Sequence, residues 1–148
     1  MRIALTGLGL AWLAALSWHE IRHRRLPNAL TLSGAGAILL GATVAGRGWP
    51  ALAGAAALAG LYLLVHLSSP AGMGAGDVKL AIGLGGLAGC FGVEAWWLAA
   101  LAAPLLTALW GLAARVFGAV DGATVPHGPS MCLATATAIS LVVCDVVV

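Results

Sequence analysis

The chain has 148 residues, of which 61% are hydrophobic and only 8% charged, and its mean hydropathy is +1.03. An ordinary soluble domain carries about 25% charged residues, so a water-facing globule is excluded for want of polar surface. A net charge of +2 gives no ground for nucleic-acid binding, and the lipid bilayer is the expected surrounding.

Six apolar stretches, 3–18, 29–46, 50–67, 78–93, 95–118 and 129–148, are separated by the polar segments of the chain. A membrane-spanning helix takes about 20 mostly apolar residues. Backbone groups in hydrocarbon must find partners within their own segment, which selects helices. The prediction is an all-α integral membrane protein, a compact bundle of about six transmembrane helices forming one polytopic domain over 1–148. The spacing leaves no room for a soluble domain.

The first stretch follows Arg2 and ends near Ala15-Leu16-Ser17, a pattern that a cleaved signal peptide would also give. Cleavage there would leave five spans and put the next, basic segment at a free N-terminus.

That segment is SWHEIRHRRLPNALTL, residues 17–32. Pro27 predicts a helix boundary, because the residue before a proline is pushed out of the α region. Asn28 is then expected to cap the second helix through its side chain. Arg22, Arg24 and Arg25 read as a basic stop that holds the segment in the cytoplasm. Glu20 is not required by that rule. His19-Glu20-Ile21-Arg22-His23 also matches H-E-x-x-H, a zinc signature with the glutamate as base, and Asp121 could supply a third ligand. The positive field of Arg22, Arg24 and Arg25 around His23 opposes a dication.

Residues 71–80 read AGMGAGDVKL, with Asp77 and Lys79 behind Gly72, Gly74 and Gly76. As a phosphate loop this fails, since Asp77 stands where the third glycine belongs and no G-K-[ST] follows. A hairpin turn would account for the glycines alone. It would not account for Asp77, because an ionisable residue at membrane depth is expensive to keep and marks a functional candidate. Glycine lets a neighbouring helix or an extended strand approach closely. Lys79 reads equally as a snorkelling cation that sets topology or as a charge that tunes the carboxylate.

The fourth stretch is short, and its Gly85-Gly86-Leu87-Ala88-Gly89 run suits close helix contact in lipid. Ahead of the last stretch, VPHGPSM (125–131) sets Pro126 and Pro129 around Gly128, which predicts a rigid, non-helical lead into a helix. His127 is the titratable residue there and reads as incidental. Cys90, Cys132 and Cys144 are far apart in apolar stretches with no C-x-x-C pair, so they read as small buried hydrophobes. They imply no cofactor.

Orientation follows from the basic residues. With the 19–28 segment in the cytoplasm, Arg22, Arg24, Arg25, Lys79 and Arg115 lie inside and only Arg2 and Arg47 outside. Both termini are then non-cytoplasmic. Trp49, Trp96 and Trp97 form one interfacial belt, with Trp18 at the other face, while Trp12 and Trp110 do not fit. Glu20 and Asp77 emerge on the same cytoplasmic side.

RRLPNALTL (24–32), GAGDVKLA (74–81) and PHGP (126–129), in this order between apolar spans, resemble the type IV prepilin peptidases, bacterial intramembrane aspartic proteases of the GxGD type. The resemblance covers essentially the whole chain, and GAGDVKL is its most specific part. Without a cysteine-rich methyltransferase region, the chain is similar to the short, peptidase-only members serving Flp-like pili and pseudopilus systems. The resemblance implies cleavage of prepilin or pseudopilin leader peptides at the cytoplasmic face of the bacterial inner membrane, beside the substrate's own hydrophobic helix, with no cofactor or metal. It places one catalytic aspartate on Asp77. The other falls eight residues before Asn28, on Glu20, where the family has aspartate. Gly74, Gly76, Lys79, Arg25, Pro27, Asn28, Pro126, Gly128 and Pro129 are the supporting motif positions. An aromatic residue is common in the family where His127 stands. Two carboxyl groups sharing one proton around a water are the chemistry implied, and glutamate offers it with one more methylene. A homologue that binds prepilins without cutting them is the alternative.

Overall fold

The computed structural model describes residues 2–70, 72–117 and 127–147. They form six helices: α1 (Arg2–His23), α2 (Asn28–Val44), α3 (Gly48–Ser68), α4 (Ala75–Phe91), α5 (Val93–Val116) and α6 (His127–Val147). Among the described residues there is no strand. Three segments, Gly48–Ser68, Val93–Val116 and His127–Cys144, are long and apolar enough to cross a membrane, and α2 is apolar but shorter. Leu61 and Leu64 on α3 and Leu98, Leu101, Leu105, Leu109 and Leu112 on α5 face outward. A soluble monomer rarely carries such continuous apolar surface. In lipid it is ordinary, and the architecture is that of an α-helical membrane protein.

Helix α4 is the centre of the bundle and packs against α2, α3, α5 and α6. Leu80, Ala81 and every residue from Gly83 to Gly89 are buried. A helix enclosed on all sides needs an apolar surface all round, and small residues let its neighbours come close. That explains its glycines. Gly85 and Gly89, one turn apart, lie against α3. A Cβ on Gly85 would run into the Gly54 carbonyl oxygen, and one on Gly89 would stand 2.6 Å from the Pro50 oxygen. Trp96 on α5 seals the contact by donating its indole N–H to the Gly54 oxygen at 3.0 Å. Gly85→Val therefore forces backbone apart, at a cost of about 1–3 kcal/mol or more. Its unfolding midpoint in detergent drops, whereas Gly60→Ala, which meets nothing within 4 Å, holds or raises it. Equal midpoints for the two variants would refute the close-contact account.

Gly92 alone joins α4 to α5, at φ 118°, a backbone region that side chains disfavour. The main core draws on Leu13 and Leu16 of α1, Leu58 and Tyr62 of α3, Leu80 and Leu84 of α4, and Met131 and Ile139 of α6.

Four sequence-based expectations are corrected. Asn28 does not cap α2: Pro27 holds the cap position without a side-chain bond, and its carbonyl accepts from the Leu30 and Thr31 amides. The Asn28 side chain is taken up elsewhere, accepting from Lys79 Nζ at 3.0 Å. Helix α4 starts at Ala75 rather than 78, so Gly76 and Asp77 belong to its first turn. Gly128 and Pro129 belong to the first turn of α6 rather than to a non-helical lead, which is allowed because the first amides of a helix have no intrahelical partner for a proline to remove. Pro126, like Asp121, lies outside the described residues. Trp18, Trp49 and Trp97 are exposed, but Trp96 is turned inward. Trp12 lies outside the belt pattern because it is a packing residue. Its indole donates to the Leu30 oxygen at 3.1 Å, and its ring fills the space left by Gly34 and Gly83.

Candidate active site

The C-terminal parts of α1, α3 and α5 meet the N-terminal ends of α2, α4 and α6 at one end of the bundle. Contacts across that end fix the arrangement: Glu20 with Gly128, Tyr62 and Thr107 with His127, and Lys79 with Asn28.

Asp77 is the third residue of α4 and is 9% exposed. Its Oδ2 accepts the Gly74 N–H at 3.3 Å. Gly74 has no side chain to return a bond, so only one half of a capping box exists. The positive end of the α4 dipole also favours a carboxylate there. Glu20 lies in the last turn of α1, likewise 9% exposed. Its carboxyl is laid against Gly128 so closely that a Cβ on Gly128 would run into Oε2. Among the described residues, Oε2 and the Ser130 hydroxyl are buried without a hydrogen-bond partner.

Both acids lie beyond the apolar stretches 3–18 and 78–93. Burial and the charge of Asp77 push the Glu20 carboxyl up to about 7, against a smaller opposite pull from the Gly128 amide. Burial also pushes the Asp77 carboxyl up, with His127 and the Gly74 amide drawing it back. Each acid thus feels its surroundings at close range, and two neighbouring carboxylates resist ionising together.

Around the pair, the His127 Nδ1 is 2.6 Å from Thr107 Oγ1 and its Nε2 is 3.1 Å from the Tyr62 hydroxyl. His66 donates Nδ1–H to the Met73 oxygen at 2.8 Å, which ties α3 to the segment ahead of α4. Lys79, directed at Asn28, bridges α4 to α2 and does not point at Asp77. Of the remaining motif positions, Arg25 is exposed and its carbonyl accepts from His19 Nδ1 at 3.2 Å. A Cβ on Gly76 would meet Leu26 at ordinary contact distance, so that glycine has no steric need for its size.

The rings of His19 and His23 neighbour one another at 4.4 Å, and each Nδ1 is bonded to a backbone oxygen. Glu20 buries into the bundle against Gly128 instead. Among the described residues, no group of three or more His, Cys, Asp or Glu side chains is placed to hold a metal.

A family model, that of the type IV leader peptidase family, matches residues 7–119, from within α1 to just beyond α5. The chain belongs to the type IV leader peptidase family. It is thus a prepilin-type, leader peptidase-like protease. No curated protein and no solved structure matches it. The leader peptidase match includes Glu20, Asn28 and Asp77 but stops before α6, so Gly128, Pro129 and His127 stand on the geometry alone.

The residues at the candidate site that sequence reasoning passed over are Tyr62, Thr107 and Ser130. Tyr62 is the one tyrosine of the chain, and Thr107 interrupts the apolar run of α5. Polar groups inside otherwise apolar stretches were the available signal.

Proposed function

We propose that the protein is an intramembrane aspartic-type endopeptidase in which Glu20 and Asp77 share one proton and hydrolyse the leader peptides of prepilins or pseudopilins. One observation carries this reading: two acids from separate helices, in a chain with 8% charged residues, are both buried at the same end of the bundle. The positive-inside distribution of Arg22, Arg24, Arg25, Lys79 and Arg115 favours that end facing the cytoplasm of a bacterial inner membrane. Six spans with outward termini follow from the same argument. The substrate reaches the pair with its own hydrophobic helix in the bilayer.

Chemically, the carboxylate removes a proton from water as the water oxygen bonds to the peptide carbonyl carbon. The carboxyl proton passes to the carbonyl oxygen, giving a gem-diol. Collapse breaks the C–N bond: the amine takes the proton gained from water, and the second acid recovers its own from a gem-diol hydroxyl. No metal enters, so chelators leave the rate unchanged.

The test is co-expression with a small prepilin from the same organism, with leader removal followed by pilin mass. Glu20→Asp retains or raises cleavage, since it restores the shorter acid, and Glu20→Gln loses it. Cleavage that persists in Glu20→Gln refutes the pair. Prepilin capture without cleavage by the unaltered chain identifies a binding homologue instead. With purified protein, the rate falls as pH rises through about 7, where Glu20 gives up its proton.

A further inference from the structure

Gly76 stands beside Asp77 without the steric reason that other glycines of α4 have. Further along the helix, the Trp12 ring fills the space at Gly83, and the Gly54 and Pro50 oxygens lie against Gly85 and Gly89. A Cβ at any of these three would collide. A Cβ on Gly76 would lie 3.7 Å from Leu26 Cδ1 and 3.8 Å from Leu26 Cβ, which is ordinary contact. Packing in this structure does not ask for a glycine there.

Leu26 belongs to the connection of residues 24–27 between α1 and α2. At one end, Arg24 takes φ 50°, uncommon for a residue with a side chain, while its N–H stays bonded to the Glu20 oxygen at 2.7 Å. At the other, the Pro27 carbonyl accepts the Leu30 and Thr31 amides of α2. Between these ends Leu26 lies against Gly76. Two further bonds hold the connection down, from His19 Nδ1 to the Arg25 oxygen at 3.2 Å and from Lys79 Nζ to Asn28 Oδ1 at 3.0 Å. Both are exposed, where water competes for the same groups and the net gain is small.

Asp77 and Glu20 are each 9% exposed, so a peptide bond reaches them only after something moves. Helix α4 is enclosed by α2, α3, α5 and α6. The first turn of α6 is pinned at His127 by Tyr62 and Thr107, and the segment ahead of α4 is tied at Met73 by His66, all in partly buried bonds. Among the described residues at this end, the 24–27 connection is the part held most weakly, and segments that admit ligands are drawn from such parts.

We propose that the face of Gly76 is a binding site for an extended stretch of the substrate's backbone, and that Leu26 occupies this place until the substrate displaces it. This rests on the peptidase reading above. Glycine lets a second backbone approach where a Cβ would hold it off. The place adjoins Asp77, so a chain laid there brings a peptide bond to the acid.

The first test uses full-length protein carrying Leu26→Cys with Asp77→Asn, so that a bound prepilin stays uncleaved, and follows maleimide labelling at position 26 by peptide mass. Labelling is slow in the free protein and about tenfold faster with prepilin bound, as the displaced state becomes populated. Prepilin that co-purifies yet leaves the labelling rate unchanged, or lowers it, overturns the assignment. With Asp77 intact, Gly76→Ala keeps or raises the unfolding midpoint in detergent, because alanine is the better helix former, while KM for prepilin rises about tenfold. Leu26→Ala lowers KM about fivefold at an unchanged kcat, since the open state is reached more often. A normal KM in Gly76→Ala, or a raised one in Leu26→Ala, makes these residues structural only and ends the proposal. Failure of the acid pair is a separate result: it shows as cleavage surviving in Asp77→Asn alone, whereas the labelling needs no turnover.

Discussion

Asp77→Asn is expected to lower leader cleavage by about 10²–10⁴-fold, the range for loss of a general acid or base, while leaving the bundle intact. The substitution is chosen because Asp77 has a purely structural alternative. Its Oδ2 accepts the Gly74 N–H at the start of α4, as a helix-capping acid would. Asparagine has the same shape, keeps an acceptor oxygen and serves almost as well at helix starts. If capping were all that Asp77 did, the variant would cleave at nearly the normal rate. What asparagine cannot do is take a proton from water. The check pairs initial cleavage rates with the unfolding midpoint in detergent: a collapsed rate at an unchanged midpoint supports chemistry, and a normal rate ends the aspartic mechanism.

The candidate site was legible in part because charge is so scarce in this chain. In a sequence that avoids ions, Glu20 and Asp77 stand out, and the alternation of apolar stretches with basic segments puts them on one side before any coordinates exist. The six helices are recognisable for the same reason, since apolar length is a strong signal. Their ends are not. Gly76, Asp77, Gly128 and Pro129 look like loop residues because glycine and proline usually interrupt helices, yet a first turn tolerates both. Asn28 was expected as a cap from local preference, but a partner distant in sequence, Lys79, takes its side chain. His127 was read as incidental because sequence spacing says nothing about Tyr62 and Thr107 converging on it from α3 and α5. Those contacts depend on which helices become neighbours, and only packing decides that. The buried face of α4 was foreshadowed by its glycines, though not their mates at Gly54 and Pro50 on α3.

Gly128→Ala is the second large effect expected, and it separates geometry from stability. The new methyl group would occupy the place of Glu20 Oε2, so the two cannot coexist as they stand. What yields is the far end of a flexible side chain rather than backbone, so the helices need not move and the unfolding midpoint should change little. The carboxyl is displaced, however, and a shift of about 1 Å in a catalytic group can cost about 10²-fold in rate. The same reasoning predicts its own repair. Glu20→Asp withdraws the carboxyl by one methylene, which clears the space that the alanine methyl needs. The double variant Gly128→Ala with Glu20→Asp should therefore cleave faster than Gly128→Ala alone, a coupling of the kind that touching residues show and distant ones do not. If the two substitutions are additive, Glu20 is not pressed against α6 in the working protein, and the missing Cβ of Gly128 is not what makes room for the longer acid.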